Sequence, residues 1–414
     1  MLGFAFEGAA EPKMQSHSLI LSNHEPSSER TVAVLAKGFR PFFLAAGVHA
    51  VVSVPLWIAA LSGTAWSVPR VNPLEWHAHE MVFGFTGAVI AGFLLTAVTN
   101  WTGRATLSGG ALAALLAVWL GGRLAPWVPG VSGWVAAACD VAFWAGLAVG
   151  CGRPILSSRN RRNFGFIALL LAFLLAAALS HANRFGVYPP GLGAGRLLGV
   201  DLIVLPILVI TSRVVPMFTR NATSAAGIAS RPALDRAAIV GMALLTLLDL
   251  CSAPVLPRAV LAIAVGVFTF LRARDWGAER TLGNPLLWVL HLGSAWIGTG
   301  LILRGLSSFV PGLSPSIALH AITAGGVGLL CLGMMTRVTL GHTGRMLAVP
   351  PSMAWAMRAL SLAVVLRVVG PVLMPSKTLV ALSLAALFWS LAFGCYLAIY
   401  AKALVSPRVD GRPG

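Results

Sequence analysis

Long apolar runs alternate with short polar connectors along almost the whole chain. Each run is close to the roughly 20 residues that a helix needs to cross the hydrocarbon core of a bilayer. The pattern therefore predicts twelve membrane-spanning helices, at about residues 41–62, 79–101, 108–126, 132–151, 164–183, 195–217, 235–252, 255–271, 284–305, 314–337, 354–374 and 378–401. The third run is the least regular, because Gly121-Gly122-Arg123 interrupts it, and the eighth is the shortest.

The composition of the chain narrows the class of protein. Hydrophobic residues make up 57% of the 414 residues and charged residues 10%, against about 25% charged residues in soluble domains. A soluble enzyme, a disordered chain and a coiled coil are excluded, and so is a membrane β-barrel, whose strands alternate apolar and polar positions. We expect an all-α polytopic membrane protein with a flexible cytoplasmic tail (1–38), one transmembrane domain (39–402) and a short cytoplasmic C-terminal tail (403–414).

The charge of the chain predicts its orientation. The formal net charge is +17, which raises nucleic acid as a partner, but the basic residues are spread over many short connectors. With the N-terminus in the cytoplasm, 22 of the 30 Lys and Arg residues fall on the cytoplasmic side and seven on the outer side. Because cytoplasmic loops are enriched in Lys and Arg, we expect both termini in the cytoplasm, with the lipid bilayer and no nucleic acid as the chain's surroundings.

Spans 2 and 10 resemble each other at an offset of 241 residues. Span 2 begins at His79 and span 10 carries His320 at the matching position. Glycines follow both histidines at the same spacing: Gly84, Gly87 and Gly92 in span 2, and Gly325, Gly328 and Gly333 in span 10. Span 6 contains a weaker third copy around Arg213, which suggests three units of four helices, although chance similarity in a Gly-rich chain is the alternative.

The histidines are the strongest candidates for chemistry. An imidazole inside a membrane is costly without a partner, so it marks a functional site by default. His79 and His320 lie at matched positions in the outer half of two repeat-related helices, and a haem b needs two imidazoles on opposite sides of its plane. We therefore predict that His79 and His320 ligate one haem. The alternative is that the glycines only pack helices and that each histidine bonds a neighbouring Ser or carbonyl group.

The other membrane histidines suggest further sites. His49 and His291 are separated by 242 residues and form a possible second cofactor-binding pair in the inner half. His77 points about 200° away from His79 on the same helix, so it cannot share the partner of His79 and is a candidate ligand for a second metal. His181 near the outer face and His342 at the inner face complete the set of candidate metal ligands.

Charged residues within the spans extend the site. Arg367 in span 11 is a candidate partner for a haem propionate, and Arg70, Arg184 and Arg196 in outer loops offer the same contact. Glu80 is placed to orient the site beside His79. For Asp140, Asp201, Asp249 and each of these residues, a buried interhelical ion pair is the simpler interpretation. The five cysteines form no CxxC or CxxCH motif, which excludes covalent c-type haem.

Four stretches of the sequence resemble the NnrS family, and the resemblance runs from about residue 35 to residue 400. It is carried by the segments Lys37-Gly38-Phe39-Arg40-Pro41-Phe42-Phe43, Trp76-His77-Ala78-His79-Glu80-Met81, Arg213-Val214-Val215-Pro216-Met217-Phe218-Thr219 and Met335-Thr336-Arg337-Val338-Thr339-Leu340-Gly341-His342-Thr343-Gly344-Arg345. The resemblance implies a bacterial inner-membrane protein of twelve spans that contains haem and copper. It also implies a role in tolerance of nitric oxide, often alongside denitrification, with nitric oxide or a nitrosyl species as a partner.

A more distant resemblance is to the catalytic subunit of haem-copper oxidases and nitric oxide reductases. That family has twelve spans, threefold pseudo-symmetry and haem ligands on spans 2 and 10, positions that His79 and His320 match. It places its copper ligands on spans 6 and 7, which contain no histidine in this chain. The binuclear site of that family is therefore not expected in its usual form.

Three functions remain open at this stage. The first is a haem-binding protein of the NnrS type, for which turnover is not established, that acts in nitrosative stress tolerance. The second is a redox enzyme linked to quinol or nitric oxide, with Asp140 and Asp201 as proton-conducting acids. The third is a secondary transporter, since transporters also combine repeats with intramembrane acids.

Overall fold

The protein was analysed as a computed structural model, which describes residues 32–63, 72–159, 161–187, 194–225 and 227–412. Twelve long helices follow one another in these segments. They are α1 (Phe39–Leu61), α2 (Pro73–Thr102), α3 (Gly109–Leu124), α4 (Gly133–Ser157), α5 (Phe164–Arg184), α6 (Ala194–Thr223), α7 (Pro232–Leu250), α8 (Val255–Ala273), α9 (Pro285–Leu306), α10 (Pro315–His342), α11 (Pro351–Val368) and α12 (Thr378–Val405).

The helices confirm the predicted fold class. No strand occurs in the described segments, and eleven helices are long and apolar enough to cross a membrane. The remaining helix, α7, coincides with the predicted seventh span but carries Asp235, Arg236 and Asp249 within its 19 residues. The protein is an all-α polytopic membrane protein, and the Gly-Gly-Arg interruption of the third span lies inside a continuous helix.

The predicted second span begins too late. Helix α2 starts at Pro73, six residues before the apolar run, and the Asn72 side chain caps it by accepting from the amides of Leu74 and Glu75. Proline at the first helical position has the backbone angle that a helix needs. The first two turns carry Glu75 and His77, so hydropathy alone does not identify them as part of the helix.

Consecutive helices pack against each other, and the last helix returns to the first. Helix α12 packs along α1, and the buried Arg40 near the start of α1 joins their ends. Its Nη1 donates to the carbonyls of Ala403, Leu404 and Ser406 at 3.2, 3.0 and 2.6 Å. These are carbonyls at a helix C-terminus, which lack intrahelical partners, so Arg40 acts as a cationic cap.

Helices α2 and α10 form the centre of the bundle. In their most apolar stretches 83% and 72% of residues are buried, against 28–56% in the other candidate spans. Both helices contain a π-helical segment, Glu80–Thr86 in α2 and Ala321–Gly328 in α10, each beginning directly after His79 or His320. Such π-bulges are frequent at functional sites, and their aligned positions extend the repeat from sequence to backbone geometry.

The structure describes only part of each predicted tail, residues 32–38 and 403–412. Residues 1–31 of the predicted N-terminal tail lie outside the described segments, whereas Ala33–Leu35 form a short 3-10 turn before α1. At the other end α12 continues to Val405, and Arg408 donates to the carbonyl of His342 at 3.0 Å. The start of the predicted C-terminal tail is thus held against the end of α10.

Candidate functional site

The imidazoles of His77 on α2 and His320 on α10 lie next to each other. Their ring centres are 6.3 Å apart and their planes are parallel to within 5°. His77 lies near the start of α2 and His320 in the second turn of α10. The two central helices thus present one imidazole each at corresponding ends.

Each of these rings is held by its neighbours. The His77 ring stacks on Trp57 of α1 at 4.0 Å, and its Nδ1 is buried with no hydrogen-bond partner in the described segments. His320 Nδ1 donates to the carbonyl of Ser316 at 2.7 Å, which leaves a lone pair on Nε2. Arg367 of α11 donates from Nη2 to that Nε2 at 3.0 Å.

A cavity of about 470 Å³ opens beside the two imidazoles. Its wall is mainly apolar and aromatic, with Trp57, Phe85 and Trp389 among its residues, and its polar groups include His77 and His320. Two cations, Arg196 and Arg367, also line it. Small-molecule and cofactor sites are typically about 300–1,000 Å³, mostly apolar, with a few placed polar groups, and this cavity has that character.

His79 belongs to a second, polar cluster on another side of α2. Asp140 Oδ2 of α4 lies 2.8 Å from Nε2 of His79 and 2.8 Å from Nε2 of His181 on α5. The two imidazole rings are 4.8 Å apart, and Ser180 Oγ is 3.4 Å from His79 Nδ1. Three side chains that can bind a metal thus converge on one point from three helices.

Arg123 links this cluster to Glu80 and His49. It pairs with Asp140 Oδ1 and, at 3.0 Å, with Glu80 Oε2, which lies 3.2 Å from His49 Nε2. Glycines make room for these contacts. A Cβ on Gly122 would lie 2.9 Å from Asp140 Oδ1, and a Cβ on Gly84 would lie 2.7 Å from His49 Nε2. Both close contacts are therefore possible only because glycine has no side chain.

The structure groups the histidines differently from the predicted pairing. The ring beside His320 is that of His77, whereas Nε2 of His79 faces Asp140. The physical reason is the geometry of the helix, since side chains two residues apart point about 200° from each other. The aligned position in the repeat pointed to two helices whose imidazoles lie side by side, but not to the residue on α2 that faces α10.

The remaining candidate histidines lie in separate places. His49 faces Glu80, while His291 on α9 lies 3.0 Å from Thr219 Oγ1 on α6, so the structure does not bring this predicted pair together. The His342 ring packs 5.6 Å from that of Phe39, at the end of α10. Arg184 lines a small cavity beside His79 and His181, and Arg70 lies outside the described residues.

The other intramembrane acids form ion pairs. Arg304 of α9 donates to Asp201 of α6 at 2.7 Å and to Asp249 of α7 at 2.5 Å, and Arg258 lies 3.3 Å from Asp249. These contacts join α6, α7, α8 and α9. The simpler interpretation, an interhelical ion pair, therefore describes Asp201 and Asp249 in this structure.

Two residues of the site had no role in the sequence prediction. Arg123 enters the sequence prediction only as part of the interruption of the third run, and Trp57 is not named in it. The signal for Arg123 was the Gly121-Gly122 pair before it, because adjacent glycines in a helix allow a neighbouring helix to approach closely. Nothing in the local sequence around Trp57 indicates that it stacks on His77.

Comparison with known proteins supports the resemblance seen in the sequence. The model of one protein family, described as NnrS protein, matches residues 33–408, which is nearly the whole chain. A search of curated proteins finds no match.

Proposed function

Since the chain belongs to the NnrS family, we propose that it is a haem-binding protein of the bacterial inner membrane that acts in tolerance of nitric oxide and nitrosative stress. His77 on α2 and His320 on α10 would hold the haem b. This keeps the helices of the sequence prediction and replaces His79 by His77.

One observation carries this proposal, the spacing of the two imidazoles. When two imidazoles bind one metal ion from opposite sides with bonds of about 2 Å, their ring centres are roughly 6 Å apart. The separation of 6.3 Å between the two ring centres matches that distance. Two parallel imidazoles on separate helices, at this distance and beside a large cavity, are otherwise hard to explain in an apolar bundle.

The surrounding groups fit a haem as well. The donation from His320 Nδ1 to the Ser316 carbonyl fixes the ring and leaves Nε2 free to bind iron. The apolar wall suits a porphyrin face, and Arg196 and Arg367 supply cations for two propionates. Arg367 would give up its contact with His320 Nε2 if that nitrogen held iron, and its guanidinium would then be available to a propionate.

The ligand set favours electron transfer or sensing. A bound haem supplies one-electron chemistry, with a potential set by its ligands and surroundings. If His77 and His320 occupy both axial positions, no open position remains for a gas unless one histidine leaves. Of the two, His77 has fewer polar contacts in the described segments, since its Nδ1 has no partner whereas that of His320 is held.

Optical spectroscopy of purified, haem-replete protein tests the proposal. Wild-type protein is expected to show a low-spin Soret band. His77→Ala and His320→Ala should each abolish this low-spin signal, because each removes one of the two axial imidazoles. His291→Ala is the matched control, since it removes an intramembrane imidazole that bonds Thr219 and does not line the cavity.

The proposal is wrong if the His77→Ala and His320→Ala variants are folded and haem-replete and both keep the wild-type spectrum. Protein that purifies without colour under haem-sufficient expression would also overturn it and would favour a transporter. The role in stress is tested separately, by growth of a strain lacking the protein under nitric oxide. If the His320→Ala variant restores growth of that strain as well as wild-type protein does, the role in stress tolerance does not depend on the haem.

A further inference from the structure

We propose that His79, Asp140 and His181 form a binding site for a first-row divalent transition-metal ion, separate from the His77–His320 cavity. The ion would be held by two imidazole nitrogens and one carboxylate oxygen from α2, α4 and α5. This site does not depend on the proposed haem function, because none of its three ligands lines the haem cavity.

The geometry of the three side chains supports the site. One ligand atom from each residue can be chosen so that all lie within 4.8 Å of one another. Asp140 and His181 are 2% and 4% exposed, respectively. The three residues lie on three different helices, so their convergence is a property of the tertiary fold and not of a local sequence motif.

Space for an ion is present beside the ligands. A cavity of about 30 Å³ is lined by His79, Glu80, Ser180 and His181, and roughly 10–15 Å³ of such volume is enough for one water. An ion bound there would have room for an additional water ligand. His181 Nδ1 is buried without a hydrogen-bond partner in the described segments.

The charge balance of the cluster favours a cation. Glu80 and Asp140 are two buried carboxylates, whereas Arg123 is the one guanidinium that pairs with both. With neutral imidazoles these three charged side chains sum to one net negative charge, and Glu75, Arg184 and Arg196 line the neighbouring cavity. Uncompensated charge is expensive in a buried site, so the net negative charge attracts a cation, and a divalent ion would change the sum from −1 to +1.

The donor set defines the class of ion. Imidazole nitrogen suits Zn²⁺, Cu²⁺, Fe²⁺ and Ni²⁺, and one carboxylate is compatible with each of them. In the metal-free form both Nε2 atoms donate to Asp140 Oδ2. On metal binding each imidazole changes tautomer, so that its proton moves to Nδ1 and no net proton is released. The Ser180 hydroxyl then accepts from His79 Nδ1, which would orient that ligand.

Zinc is the probe for the test, because d¹⁰ Zn²⁺ adds no optical bands to the haem spectrum and its K-edge is distinct from that of iron. Full-length protein in detergent would be stripped with a chelator, reloaded with Zn²⁺ and desalted. Its metal content would be measured by mass spectrometry and its ligands by Zn K-edge absorption. We expect one tightly bound Zn²⁺ per chain, with two imidazoles and oxygen donors, and at least about a tenfold loss of affinity in His181→Ala.

Two variants keep the test decisive. His181→Gln retains a polar side chain beside Asp140 and removes the imidazole, so it serves if His181→Ala does not fold. His291→Ala is the control and should bind Zn²⁺ as wild type does. Size-exclusion profiles and unfolding temperatures would establish folding in each case.

The site is refuted if wild-type protein retains no Zn²⁺ after desalting, if sulfur donors dominate the absorption spectrum, or if His181→Gln binds as tightly as wild type. Wild-type protein would retain no Zn²⁺ if a protonated histidine already compensated the net negative charge of Glu80, Asp140 and Arg123. None of these outcomes affects the Soret band assigned to His77 and His320, so failure of the metal site and failure of the haem proposal are distinguishable.

Discussion

Two sides of α2 differ sharply in chemistry although they begin only two residues apart. The His77 side faces a large, mainly apolar cavity and a second imidazole on α10. The His79 side faces a buried carboxylate that is shared with His181 and balanced by Arg123. Arg196 borders cavities on both sides and lies 3.5 Å from Glu75.

The difference shows how one helix can present two chemically distinct sides. An apolar cavity lined by imidazoles can accept a large, flat cofactor at the cost of few polar contacts, here the contact of Arg367 with His320 Nε2. A compact network of charges instead fixes the positions of the helices that contribute to it, because removing one member leaves another charge buried and unpaired. We expect substitutions on the His77 side to alter the spectrum and those on the His79 side to alter stability.

The largest contrast is expected between alanine substitutions at the two histidines. His77→Ala should abolish the low-spin haem spectrum, whereas His79→Ala should leave the Soret band at the wild-type position and intensity per folded chain. The measurement is the ratio of Soret to protein absorbance in purified samples. The reverse result would restore the pairing predicted from the repeat and would place the cofactor on the other side of α2.

Arg123→Met should have the next largest effect. It leaves the buried carboxylates of Glu80 and Asp140 without their guanidinium partner, and breaking a buried pair in this way typically costs about 3–5 kcal/mol. Unfolding of the detergent-solubilised protein would measure the loss. Arg104→Met, at an exposed position after α2, should change the free energy of unfolding by less than about 0.5 kcal/mol.

The haem content of folded Arg123→Met protein sharpens the same comparison. If the two sides of α2 are independent, the low-spin spectrum per folded chain should remain unchanged. A spectrum lost together with stability would show instead that the charge network positions His77.

The smallest effect is expected for Arg367→Gln. His77 and His320 remain, so the low-spin spectrum should persist. Loss of a cation near the propionates disfavours the reduced haem, which should lower the midpoint potential by up to about 60 mV, or tenfold in the one-electron equilibrium. Redox titration would measure this shift. An unchanged potential in Arg367→Gln would argue that this guanidinium does not contact the propionates.

Most of the fold could be predicted from the sequence. Helices have the same apolar length requirement wherever they cross a bilayer, so the twelve runs correspond to twelve helices, with α2 starting earlier because its first turns are polar. The repeat between spans 2 and 10 also identified the two central helices. Arg40 joins α1 to the end of α12. It belongs to one of the motifs that resemble the NnrS family, but the sequence gives no sign of this contact.

The sequence by itself determined the class of protein, the number of helices and the family, because each depends on residue types and their order along the chain. Only the tertiary structure decided that His77 faces His320 and that His79 joins Asp140 and His181. Residues two positions apart on a helix point in nearly opposite directions, and which one meets a partner depends on how distant helices pack around it.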